Sequence, residues 1–292
     1  MITENLYLER RIARGGMAEV WQGGDLATGR KVAVKCLVPP LATRPGAVRR
    51  LKREARITAL LDEPHTVHVL GCVVQADPAG TESAFLVMDL LEGEDLGKHL
   101  RQVGRLSLEE TAAIVAQVAG ALRTAHAMGV VHRDVKPENI FLGSRGGRLH
   151  VTLLDFGLAK DLREAHMLTL GGMAVGTPPF MSPEQLRGLD IDVRCDVWAL
   201  AVVAYACLAG RLPFEGTTTS AVSAAIARGR ARPPSTYRDD LPSWVDTVFA
   251  TALHPRIDAR FRSAADLAEA LRGGRHGRAG GFPADGARRP AA

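Results

Sequence analysis

The sequence predicts an α+β fold in two lobes, a small β-rich one with a single helix followed by a larger, mainly α-helical one. Three observations carry this. The first ninety residues are short apolar and β-branched runs broken by glycine and proline, with one glycine-free helical stretch among them. From Ser107 onward apolar residues recur at helical spacing between capping residues. At 292 residues the chain is long enough to bury most of its apolar surface in two bodies sharing a cleft. The expected division is 1–91 for the small lobe and 92–272 for the large one, with 273–292 as a disordered basic tail rich in Gly, Arg, Pro and Ala.

Element by element, Tyr7 to Ile12 and Glu19 to Gly23 flank Gly15 and Gly16, and Lys31 to Leu37 follows, which makes a three-strand meander. After the Arg44-Pro45-Gly46 breaker, Val48, Leu51, Ala55, Thr58 and Leu61 mark one face of a helix over Ala47 to Leu61. Val67 to Val74 and Ala84 to Leu90 read as a hairpin around Asp77-Pro78-Ala79-Gly80. Ser107, with Glu109 and Glu110 in the next turn, opens a long helix that runs to Met128. Further helices are expected at Asp192 to Ala209, Thr219 to Arg228, Ser243 to Leu253 and Ser263 to Leu271, the last opened by Ser263 with Asp266 three residues on.

Composition narrows the function classes. Lys+Arg of 37 against Asp+Glu of 32 is a mild and scattered excess, which argues against nucleic acid as a partner. Only six of the basic residues are lysine, a bias that fits a GC-rich bacterial genome. Cys36, Cys72, Cys195 and Cys207 have neither disulfide-framework nor zinc spacing and read as isolated buried thiols of a reducing compartment. Met1 to Glu9 lacks the apolar core of a secretory leader, and the longest apolar run, Val197 to Ala209, is too short to span a bilayer. A cytoplasmic chain with no membrane segment is the expectation.

The chemistry is concentrated in His132-Arg133-Asp134-Val135-Lys136-Pro137-Glu138-Asn139 and, sixteen residues after the asparagine, Asp155-Phe156-Gly157. Phosphoryl transfer asks a protein for positioning and charge neutralisation, and this run supplies both. Asp134 is the candidate base or orienter for an acceptor hydroxyl, Lys136 a cation for the γ-phosphate, and Asn139 and Asp155 hard oxygen ligands suited to magnesium, with manganese as a substitute. Any one of them alone is as easily a turn residue or a cap. All four at this spacing are not a chance pattern.

Upstream, Ile12-Ala13-Arg14-Gly15-Gly16-Met17-Ala18-Glu19-Val20 is a glycine-poor version of a phosphate-covering loop, and taken alone it reads better as an ordinary hairpin turn. Val32-Ala33-Val34-Lys35 changes that balance. Ala33 is small enough to roof an adenine pocket, and Lys35 can reach the α- and β-phosphates. Its partner would be Glu54, which borders the apolar stripe of the helix; the bland alternative is a surface pair with Arg50 one turn earlier. Arg133, beside the candidate base, can be neutralised by a phosphate carried between Asp155 and Glu184.

On these motifs, with Gly176-Thr177-Pro178-Pro179-Phe180-Met181-Ser182-Pro183-Glu184, Asp196-Val197-Trp198-Ala199-Leu200 and Arg260, the chain from Tyr7 to Leu271 resembles the bacterial serine/threonine protein kinases of the eukaryotic-like superfamily. The resemblance implies a non-specific serine/threonine kinase fold and activity, with Mg-ATP as phosphoryl donor and Ser or Thr hydroxyls of proteins as acceptors, acting in bacterial signal transduction. It implies that residues 12–17 form the lid, that Val20, Ala33 and Leu142 surround the adenine, and that Met88 is the gatekeeper before a hinge at Asp89 to Leu91. It further implies that Glu184 pairs with Arg260, Asp196 supports the catalytic loop, Thr177 bonds Asp134 and Lys136, and Thr169 carries an activating phosphate. A homodimer through the small lobe is compatible with it.

Two departures stand out. Ser182 replaces the alanine of the Ala-Pro-Glu motif, and Ala13 replaces the first lid glycine, which raises the expectation of a strained lid and weaker nucleotide binding. Three other classes fit less well. A binding-only pseudokinase would have lost Lys35, Asp134, Asn139 or Asp155. A small-molecule kinase would lack the segment from Gly176 to Glu184 and its Arg260 partner. A dinucleotide-binding oxidoreductase needs a helix after its glycines, where this chain continues with a strand.

Overall fold

The computed structural model describes residues 2–14, 18–37, 46–61, 63–76, 82–156 and 178–273. The expected lid tip from Gly15 to Met17, the Asp77 to Gly80 turn, Gly157, Thr169, Gly176, Thr177 and the tail beyond Gly273 lie outside these residues.

Five antiparallel strands build the small lobe: β1 (Leu6–Arg14), β2 (Ala18–Asp25), β3 (Arg30–Leu37), β4 (Val69–Ala76) and β5 (Glu82–Asp89). Their order is β1-β2-β3-β5-β4, so the meander and the hairpin meet through β3 and β5. Alternation along β3 sets the two faces. Val32 and Val34 pack with Ile2, Leu6 and Val87 on one face, while Ala33 packs with Val67 and Met88 on the other. Helix α1 (Ala47–Leu60) lays Leu51 and Ala55 on Val69, Ala84 and Leu86. Ala13 pairs with Val20 just after a register shift on β1, and Ala18 pairs with Leu37 in the β2–β3 ladder. Neither has a positive φ, so both departures from glycine are accommodated without backbone strain.

The large lobe opens with β6 (Glu94–Asp95) and α2 (Leu96–Val103), whose N-cap Asp95 accepts from the Lys98 amide at 2.7 Å. Helix α3 (Leu108–Ala127) starts on a full capping box between Ser107 and Glu110. A hairpin, β7 (Ile140–Arg145) and β8 (Arg148–Leu153), follows and was not expected in a mainly helical lobe. It turns on Gly146 and Gly147, both left-handed. The chain ends in α4 (Pro183–Arg187), α5 (Arg194–Ala209), α6 (Thr219–Arg228), α7 (Ser243–Ala252) and α8 (Ala264–Leu271). Helix α5 is buried from Cys195 through Leu208, which explains its unbroken apolar run: it is the axis of the core and presents no face to water. Among the described residues no helix is long and apolar enough to cross a membrane.

The segment after α1 ties the two lobes together. The Leu153 amide donates to the His65 carbonyl at 2.8 Å, His65 Nδ1 lies 2.8 Å from the Val151 carbonyl, and Thr124 Oγ1 donates to Glu63 Oε2 at 2.8 Å. Burial pushes the Cys207 thiol up to about 12 and, with Asp196 beside it, the Cys195 thiol well above the usual range, which disfavours the thiolate at both. Cys36 and Cys72 are half-buried rather than buried.

The crossing between the lobes depends on Gly93. Its φ is 137°, and an added Cβ would lie 2.0 Å from the Leu142 carbonyl oxygen. Gly93→Ala is therefore expected to destabilise the protein by about 1–3 kcal/mol or more, measured by denaturant unfolding; an unchanged midpoint would contradict the packing at this crossing.

Candidate active site

Lys35, Glu54 and Asp155 come from three different elements and meet at one ammonium group. Lys35 shares the Ala33 face of β3, Glu54 lies on the buried side of α1, and Asp155 follows β8. Lys35 Nζ donates to Glu54 Oε1 and to Asp155 Oδ1, each at 2.8 Å. Burial opposes the lysine charge, but attraction first from Asp155 and then from Glu54 outweighs it and holds the ammonium above its ordinary range. Glu54 is only 4% exposed, and its own desolvation raises it despite Lys35. The Glu54 carboxylate thus faces Lys35 and the lobe interior.

Asp155 has φ 54°, a left-handed conformation that costs a non-glycine residue energy. Its neighbours hold it there. Phe156 is fully buried with its ring 4.9 Å from that of His132, and His132 Nε2 donates to the Leu154 carbonyl at 2.9 Å. The Leu154 amide in turn donates to the Asn139 carbonyl at 2.8 Å. His132 Nδ1 accepts from the Asp134 amide at 3.2 Å, an arrangement that assigns the imidazole proton to Nε2.

The 132–139 loop hangs from one buried carboxylate. Asp196, in the first turn of α5 and 0% exposed, accepts from the amides of His132 at 2.8 Å and Arg133 at 2.7 Å, and from His126 Nε2 at 2.8 Å. Two amides drawn to one carboxylate require a tight reversal, and Arg133 takes φ 67°. Gln185 Nε2 steadies the reversal by donating to the Arg133 carbonyl at 3.2 Å. Beyond it, Lys136 Nζ lies 2.9 Å from Asp134 Oδ2, and Asn139 Nδ2 donates to the Asp134 carbonyl at 2.8 Å. Arg133 Nε is buried and has no hydrogen-bond partner among the described residues.

The amide orientation of Asn139 bears on metal binding. With Nδ2 committed to Asp134, Oδ1 is the atom left to face a cation, and the Asp155 carboxylate, 42% exposed, supplies a second hard oxygen. Among the described residues no group of three His, Cys, Asp or Glu side chains forms a closed metal cage. Two protein oxygens with phosphates filling the rest is the donor set magnesium favours, so the residues fit that ion.

Around the bridge, Val20, Ala33, Val67, Met88, Leu90 and Leu154 form one apolar cluster. Leu142 packs on the large-lobe core instead, and Ile12 is exposed on β1. Asp89, the first hinge residue, pairs with Arg30 at 2.9 Å on the outer surface. Deeper in the large lobe, Arg260 grips Glu184 through two bonds of 2.8 Å and stacks 4.7 Å over the Trp198 ring. His126, Gln185 and Phe156 were not anticipated in these positions. Phe156 lay inside a quoted motif, whereas His126 and Gln185 gave no local signal.

The fold and this constellation define a protein kinase. Residues 6–268 match the protein kinase domain family, and the chain belongs to that family. It is 39% identical over 273 residues to the serine/threonine-protein kinase PknA of Mycobacterium tuberculosis, covering 93% of this chain and 61% of the relative. It is 37% identical over 264 residues to PknH of Mycobacterium bovis, covering 90% of this chain and 42% of that protein. The kinase domain of Mycobacterium tuberculosis PknI superposes with a TM-score of 0.70 at 28% identity, over 92% of this chain and 96% of that one. This chain thus spans under two thirds of the length of the curated relatives PknA and PknH.

The Glu184–Arg260 pair has a pH signature. Burial works against the Glu184 charge, but the Arg260 guanidinium prevails and holds the carboxyl below its ordinary value of 4.5. A depressed acid stabilises the fold above its unfolded pKa and loses that contribution as pH falls through the folded one. Glu184→Gln should cost about 3–5 kcal/mol at neutral pH, and its thermal-melting gap from wild type should narrow below pH 4.5. A gap independent of pH would contradict the pairing.

Proposed function

We propose that the chain transfers the γ-phosphoryl group of Mg-ATP to Ser or Thr hydroxyls of proteins, and that it serves bacterial signalling. The observation that carries this reading is the Lys35 ammonium held at 2.8 Å from both Glu54 and Asp155, beside the Asp134, Lys136 and Asn139 set. In this reading residues 1–91 and 92–272 are the two lobes, and the nucleotide lies between them.

Each residue has a stated task. Glu54 aims Lys35 at the α- and β-phosphates. Asp134 receives the hydrogen bond of the acceptor hydroxyl and takes its proton as the oxygen attacks the γ-phosphorus and the bond to the ADP oxygen breaks. Lys136 neutralises charge on the transferring group. Asn139 and Asp155 would hold magnesium, which would supply charge screening for the phosphates. Val20, Ala33, Met88 and Leu142 enclose the adenine, residues 12–17 cover the phosphates, and Asp89 to Leu91 meet the base edge. Serine or threonine specificity is supported by Lys136 two residues after Asp134 and by the names of the relatives.

Arg133 favours a regulatory reading of the same loop. Among the described residues the buried Arg133 Nε has no partner, and a phosphate on Thr169 would supply one by charge pairing. Thr177 would bond Asp134 and Lys136.

Incubation with labelled ATP, magnesium and a generic protein acceptor tests the proposal. Asp134→Asn should lower label incorporation by about 10²–10⁴-fold, chelation of magnesium should abolish it, and mass spectrometry of the active wild type should find phosphate on Thr169. Equal incorporation by wild type and Asp134→Asn would defeat the reading.

A further inference from the structure

The lid hairpin carries a charge clamp on the face turned away from the cleft. Cross-strand pairing sets Arg14 opposite Glu19, Arg11 opposite Trp21, and Ala13 opposite Val20. Val20 packs with Ala33 and Met88 on the cleft side, and alternation places Glu19 on the other. There Glu19 Oε1 accepts from Arg11 Nη1 at 2.8 Å and lies 3.7 Å from Arg14 Nε, while Oε2 accepts from Trp21 Nε1 at 3.2 Å. The carboxylate side chain is only 15% exposed, although its two arginines are 45% and 65% exposed. Its charge is felt by the strand beneath: after burial, Glu19 is the cause that pushes the Cys36 thiol up to about 11.

We propose that Glu19 is a positioning residue for the nucleotide, pinning Arg11, Arg14 and Trp21 onto the outer face of β1 and β2 and so fixing the Ala13–Val20 pair over the nucleotide. The inference rests on the kinase reading above and deepens it. The two strands must stay in register for Ala13 and Val20 to remain opposite each other. The ladder next to the turn also contains register shifts on β1, between Leu8 and Arg10 and between Arg11 and Ala13, which weaken main-chain pairing there. Side-chain bonds from Glu19 to both sides of the second shift compensate for it. Without them the Ala13–Val20 pair, which carries the roof, would loosen.

Direct binding of ATP with magnesium, measured by calorimetry on the full chain, separates the outcomes from catalysis. Glu19→Gln should weaken binding by about three- to tenfold, the range expected for two exposed ion pairs and an indole bond lost together. Glu19→Asp should recover part of the loss. Arg11→Ala combined with Glu19→Gln should be no weaker than Glu19→Gln alone, because the two act through one contact. In turnover assays the loss should appear in KM for ATP, with kcat and the acceptor KM unchanged, and with an unchanged melting temperature. ATP binding by Glu19→Gln equal to wild type, or a loss confined to kcat, would overturn the clamp while leaving the kinase reading intact. A wild type that binds no ATP would overturn both.

Discussion

The site depends on a single buried carboxylate. Asp196 collects the His132 and Arg133 amides and the His126 imidazole, and by doing so forces the backbone reversal from which Asp134, Lys136 and Asn139 project. The cost of that reversal, a left-handed arginine, is tolerable because α5 is the most deeply buried helix of the large lobe and cannot shift under load. Three donors also satisfy a carboxylate that would otherwise be costly to bury at the heart of a core. Rigidity at the centre of the large lobe is thus converted into a fixed geometry at its surface.

The small lobe reaches the same place by a different route. Its sheet offers Lys35 on the cleft face because Val32 and Val34 occupy the other, and α1 brings Glu54 across by packing Leu51 and Ala55 on β4 and β5. Neither acid alone would make a buried ammonium comfortable. Two acids from separate elements do, and the bond to Asp155 makes the lysine a strut between the lobes. The contacts of Glu63, His65 and Thr66 with α3 and β8 run parallel to it and limit how far α1 can swing.

Much of this was legible because it is local. The 132–139 run and Asp155 lie close together in sequence, the Val32 to Lys35 strand alternates cleanly, and Glu54 declares itself by bordering an apolar stripe. The elements that escaped are short or non-local. Helix α2 has eight residues and the β7–β8 hairpin six per strand, too few for a period to show against a helical background. The insertion of β5 between β3 and β4 is a tertiary choice that no segment encodes by itself. Glu184 meets Arg260 across seventy-six residues, a distance over which resemblance to a family, and not spacing, supplied the partner, while His126 meets Asp196 across seventy and nothing in the sequence announced it. At Ala13 itself the backbone needs no glycine, because the residue pairs with Val20 on β1 without a positive φ.

The strut at Lys35 is where the proposed chemistry and the observed fold coincide. Steady-state phosphate transfer by Lys35→Met at saturating ATP and magnesium tests it most directly. Loss of about 10²-fold or more in turnover, with circular dichroism showing an intact fold, is the outcome required. Turnover within a fewfold of wild type would mean that phosphate is oriented by something other than the lysine shared by the two lobes.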